Sequence, residues 1–145
     1  MVKRSIKSSI IIINHILQFS ILIGLSYLQS LTNTKALVMR HLYQRNLDFE
    51  SHFLSDFGLI VQNIFLFILL VSVVFYLRKV IEKDRRYIKI IESILFIILI
   101  IIMLGVINLD FFKNLLVYGY LILGLYLVIL IQSMNIKIVS KEQKE

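Results

Sequence analysis

The sequence predicts an all-α membrane protein, a four-transmembrane-helix bundle with both termini on the inner side (N-in/C-in). Three observations predict it: the apolar content, its arrangement in long blocks, and the uneven distribution of basic residues. Apolar residues make up 59% and charged residues 17% of the 145-residue chain. Soluble domains average about 45–50% apolar and about 25% charged. With a mean hydropathy of +0.86, the chain is too apolar for disorder and for a soluble enzyme. A hydrocarbon core of about 30 Å calls for about 20 apolar residues per helix. Four blocks meet or approach that length, at residues 10–28, 57–77, 90–107 and 115–131.

The blocks are helices, not strands of a barrel. Runs such as Ile97-Ile98-Leu99-Ile100-Ile101-Ile102 lack the polar–apolar alternation of a barrel strand. A helix also satisfies its own backbone within hydrocarbon. The chain contains no proline to kink a span and no cysteine. The latter removes disulfides, thiol nucleophiles and thiolate metal sites. The whole chain is expected to form one membrane domain.

Charge sets the expected topology. The amino end carries Lys3, Arg4 and Lys7. The connection 78–89 carries Arg78, Lys79, Lys83, Arg85, Arg86 and Lys89, and the tail 132–145 carries Lys137, Lys141 and Lys144. The remaining four, Lys35, Arg40, Arg45 and Lys113, fall in the opposite connections. The positive-inside rule puts both termini and the 78–89 hairpin in the cytoplasm and the loop 29–56 outside. The amino-terminal block is longer than a signal peptide's apolar core and lacks a small-x-small cleavage site, so an uncleaved anchor is expected. Usage heavy in Ile, Lys and Asn points to a bacterial cytoplasmic membrane.

Polar residues within the spans are the candidate functional residues, because an unpartnered polar group in hydrocarbon costs several kcal/mol. In the first span a step of about 100° per residue gathers Asn14, His15, Gln18, Ser26 and Gln29 into an arc of about 120°. This stripe reads either as interhelical hydrogen-bond glue or as a ligand-binding or transport track. A second candidate face runs from Asp48 to Asn63, where one helix would gather Asp48, His52, Ser55, Asp56, Gln62 and Asn63. The i, i+4, i+8 spacing of Asp48, His52 and Asp56 suits a metal site completed by His41, a His–Asp pair with Ser51 or Ser55 as nucleophile, or a solvated outer face. No HExxH or GxSxG pattern accompanies it.

Glu92 stands three residues after Lys89 and seven after Arg85. That spacing predicts an ion pair at the inner interface, with a proton-coupling role as the alternative. The third span carries nothing polar between Ile94 and Leu104, and is expected to be the lipid-facing wall. In the fourth, Gly119, Tyr126 and Ser133 recur every seven residues as a packing seam. The basic hairpin suits anionic lipid headgroups better than nucleic acid.

This plan of four short spans, a basic inner hairpin and a basic tail is similar to the phosphate-starvation-inducible PsiE type of small membrane protein. The residues that carry the resemblance are Ile16-Leu17-Gln18 and Arg86-Tyr87. The segment 57–77 departs from it in lacking an aromatic–acidic cluster. The resemblance brings no catalytic residue to any position here.

The sequence thus predicts a non-enzymatic interaction protein without cofactor or metal. The expected role is an immunity or accessory factor that modulates a membrane target or binds a membrane-active peptide or toxin. The alternative is a small oligomeric transporter or channel using the Asn14/His15/Gln18 stripe. A membrane enzyme using His52 and Asp56 is the third reading. The expected partners are the bilayer, another membrane protein or peptide, and further copies of the chain.

Overall fold

The computed structural model describes residues 2–83 and 87–141. Among these the chain is all-helical, in the order α1 (Val2–Thr34), α2 (Ala36–His52), α3 (Asp56–Lys83), α4 (Tyr87–Asn108), α5 (Asp110–Lys113) and α6 (Tyr118–Lys141). Four helices are long and apolar enough to cross a membrane: Ser8–Thr32, Asp56–Glu82, Tyr87–Asn108 and Tyr118–Ser140. The protein is therefore a multi-pass membrane protein by length and composition.

Short polar runs end the helices. The hydroxyls of Thr32 and Thr34 donate back to the Gln29 and Leu31 carbonyls, at 2.6 and 3.3 Å. Such bonds compete with the helical ladder. Lys35 then adopts an extended backbone (φ −126°, ψ 107°), and α2 begins after it. The second break lies at 53–55. Ser55 Oγ accepts from the Gly58 amide at 3.2 Å, the geometry of an N-cap for α3. Gly58 is required here by close approach, since a Cβ would lie 2.6 Å from the Phe53 carbonyl oxygen.

That break corrects the continuous face expected from Asp48 to Asn63. Asp48 and His52 belong to α2, whereas Asp56 opens α3. Their i, i+4, i+8 register therefore does not persist, because the chain leaves the helix at 53–55 before the Ser55 cap starts α3.

The long helices pack in the order α1–α6–α4–α3, with α2 lying against α1 and α6. The core consists of Leu66, Phe96, Ile100, Met103, Ile107 and Ile122, with their neighbours on α3, α4 and α6. Of the most apolar stretches of α4 and α6, 39% and 44% of residues are buried, against 6% for α1 and 17% for α3. The third span is thus not simply the lipid-facing wall: α4 packs between α3 and α6, and only one face of it, with Ile94, Leu95, Ile98, Ile101 and Ile102, is exposed. An apolar surface does not distinguish lipid from protein, and shape decides instead. The outer faces of α1 and α3, including Ile13, Phe19, Ile23, Phe65, Phe67 and Phe75, are exposed and suited to lipid.

Where α1 meets α6, a close approach lies at Gly124. A Cβ on Gly124 would lie 2.6 Å from Leu25 Cδ1. Tyr126 faces α3, its hydroxyl donating to Gln62 Oε1 at 3.3 Å. Finally, α6 continues to Lys141, so much of the segment expected to be a tail is helix.

Replacing Gly124→Leu is expected to push α1 off α6 and to destabilise the protein by about 1–3 kcal/mol, the usual penalty of overpacking. A lowered thermal unfolding midpoint in mild detergent checks this, with Gly24→Leu as control, where a Cβ meets nothing within 4 Å.

Candidate functional site

The polar side chains of the spans form two separate groups, one near each end of the long helices. The first joins α1, α4 and α6 at the end that holds the start of α1 and the end of α6. Glu92 lies five residues into α4, about 7.5 Å along its axis from Tyr87. It is only 5% exposed. Its Oε1 meets His15 Nε2 at 3.1 Å. Its Oε2 accepts from Gln132 Nε2 at 2.7 Å, and its backbone carbonyl accepts from the same nitrogen at 3.0 Å.

The network continues along α1. His15 Nδ1 lies 3.0 Å from Gln18 Oε1. Gln18 Nε2 donates to Gln132 Oε1 at 3.0 Å and to the Val128 carbonyl at 3.2 Å. One turn nearer the termini, Asn14 Nδ2 donates to Asn135 Oδ1 at 2.6 Å. Asn135 is fully buried, and its Nδ2 has no partner among the described residues.

The stripe expected on α1 is therefore divided. Asn14, His15 and Gln18 enter the network, whereas Ser26 is exposed and bonds its own helix at Leu22. Gln29 borders a separate cavity of about 340 Å³ with Leu25, Leu115 and Leu121. Glu92 is turned inward to α1 and α6 instead of outward to the interface. Lys89, one turn earlier, is itself buried, and Arg85 lies outside the described residues. Gln132 and Asn135 were hidden from the sequence reading because they follow the fourth apolar block. Their spacing of three residues, with the helix continuing past them, is the signal that would have found them.

Beside this network α1 and α4 part. They meet at His15 and Glu92, and from there a cavity of about 320 Å³ opens between Phe19 and Leu22 on one side and Leu95, Ile98 and Leu99 on the other. Its floor is Val128 and Gln132 of α6, and His15 and Gln18 line its polar end. The volume lies at the lower end of the roughly 300–1,000 Å³ of small-molecule sites.

The second polar group makes hydrogen bonds within the fold. Gln62 Nε2 donates to the Phe53 carbonyl at 2.8 Å, satisfying a group freed by the helix break. Asn63 and Asn108 exchange amide hydrogen bonds at 2.8 and 3.3 Å, which ties α3 to α4. Asp56 is exposed, and the side chain of His52 lies outside the described residues. Among the described residues no three His, Cys, Asp or Glu side chains are grouped to hold a metal ion.

Gln132→Leu would leave Glu92 and Gln18 with unmet hydrogen bonds in a buried site. A loss of about 2–3 kcal/mol in unfolding free energy is expected, against less than about 0.5 kcal/mol for Met134→Leu on the exposed face of the same helix. Thermal unfolding in detergent compares the two. No protein-family model, curated protein or solved structure matches this chain.

Proposed function

We propose that the protein is a non-enzymatic interaction protein of a bacterial cytoplasmic membrane, with both termini and the basic hairpin in the cytoplasm. Its role is that of an immunity or accessory factor, and its partner is a membrane-active peptide that inserts against the cavity between α1 and α4. The observation that carries this reading is the cavity itself. Its walls are apolar, and its one polar end presents His15, Gln18 and Gln132. An amphipathic peptide matches that division, with apolar side chains filling the wedge and a hydrogen-bonding group reaching the floor. The basic residues at the termini and hairpin support the orientation.

A second reading has one specific observation in its favour. Glu92 adds a carboxylate to the Asn14/His15/Gln18 stripe, and ionisable groups within a span commonly mark ion or proton paths. Four spans enclose little space, so transport would require self-association through the exposed faces of α1 and α3.

Cells producing the chain are expected to survive a membrane-active peptide that kills control cells. Ile98→Trp, which fills the cavity from its exposed wall, should abolish protection at unchanged protein level, while Asp56→Ala leaves it intact. Protection by Ile98→Trp equal to that of the original chain, or no protection against any peptide class, contradicts the proposal. Solute flux in proteoliposomes that is lost in Gln18→Leu would favour transport instead. A reporter fused after Glu145 should be active only in the cytoplasm.

A further inference from the structure

The neighbours of His15 fix how many protons its network holds. Gln18 Nε2 donates to the Val128 carbonyl, and Gln132 Nε2 donates to the Glu92 carbonyl. Backbone carbonyls only accept, so both amides are held with their nitrogens toward these oxygens. Gln18 therefore turns Oε1 toward His15, and an amide oxygen also only accepts. His15 Nδ1, 3.0 Å away, must carry a proton. The other ring nitrogen faces Glu92 Oε1 at 3.1 Å. A hydrogen bond there needs one more proton, either on the ring as imidazolium or on the carboxyl. The two forms hold the same number of protons, and both leave the pair with no net charge.

We propose that His15 and Glu92 form a proton-binding site inside the span, whose ligand is the single proton between Nε2 and Oε1. Gln18 is the positioning residue that makes the pair retain it. When that proton leaves, one of the two contacts of the ring becomes acceptor against acceptor. If Nδ1 keeps its hydrogen, a bare Nε2 faces the carboxylate. If the hydrogen moves to Nε2, a bare Nδ1 faces Gln18 Oε1. Gln18 cannot reverse its amide without giving up its bonds to Val128 and Gln132. Release therefore breaks the network in either tautomer, and the more accessible partner is His15, which borders the cavity and whose side chain is 28% exposed against 6% for Glu92.

Among the described residues, the surrounding elements add few charges. On α4, Lys89 is buried one turn before Glu92. On α6, the facing groups are the uncharged Gln132 and Asn135, and Lys137 is exposed. On α1, the titratable group at the site is His15 itself.

The test uses the full chain in lipid vesicles, with His41→Gln and His52→Gln so that His15 gives the one imidazole signal. Nitrogen-15 resonances then report both ring nitrogens as pH is raised. The expected result is a proton on Nδ1 and the loss of one proton from the pair. Gln18→Met, which removes the acceptor, should weaken binding of that proton about tenfold, so that release occurs at lower pH and leaves the hydrogen on Nε2. Glu92→Gln supplies an amide hydrogen in place of the carboxyl proton. It should hold Nδ1–H and lose the titration step at the pH of the original chain, which keeps the proposal decidable should Gln18→Met not fold. A ring without hydrogen on Nδ1 while the pair still holds its proton, equal proton affinity with and without Gln18, or an unchanged titration in Glu92→Gln would overturn it.

Discussion

A carboxyl group inside an apolar slab must find partners, and the arrangement of this protein turns on how Glu92 finds them. Both of its oxygens and its backbone carbonyl are engaged by side chains from two other helices. An unpaired carboxylate in that position would cost several kcal/mol or draw in water and lipid headgroups. Satisfying it brings α1 and α6 to α4 in one register. Apolar burial by itself gives little register between helices in lipid, because hydrocarbon solvates leucine and isoleucine as well as another helix does, and the bonds of Glu92 act beside the close fit at Gly124. The mixed role of the site follows from this. The same bonds that order α1 also border the cavity beside it.

The opposite end is organised differently. There the amide groups of Gln62, Asn63 and Asn108 serve the backbone break and the α3–α4 contact, without any charged group in their hydrogen bonds. The phenyl ring of Phe53 packs edge-on against Tyr126 at 6.2 Å, and Phe49 against Tyr120 at 5.7 Å, closing α2 and the break onto α6. One end is thus fixed by aromatic packing and neutral amides, the other by a carboxyl–imidazole pair. The second joins three helices through a pair whose bonding changes with protonation.

Much of the fold was legible in the sequence because hydrocarbon imposes so strong a rule on composition. The four spans follow from block length alone, and Asn14, His15 and Gln18 followed from helical periodicity. What was not legible is instructive. The packing of α4 between α3 and α6 is not legible because the apolar stretch 94–104 carries no mark of which faces meet protein. The bonds of Glu92 to His15 and Gln132 are not legible, since i, i+3 and i, i+4 neighbours can be read from one sequence and interhelical ones cannot. Gln132 and Asn135 lay beyond the last apolar block. The continuous helical register of Asp48, His52 and Asp56 is interrupted because the N-cap signal of Ser55-Asp56 outweighs the periodicity across it.

The central claim is that Glu92 couples α1 to α6 through hydrogen bonds on either side of its carboxyl group. A double-mutant cycle of His15→Ala and Gln132→Ala, read as unfolding free energy in mild detergent, tests it most directly, because the two share Glu92 and Gln18 as partners. The account predicts a coupling energy above about 0.5 kcal/mol. Strictly additive effects of the two substitutions would contradict it.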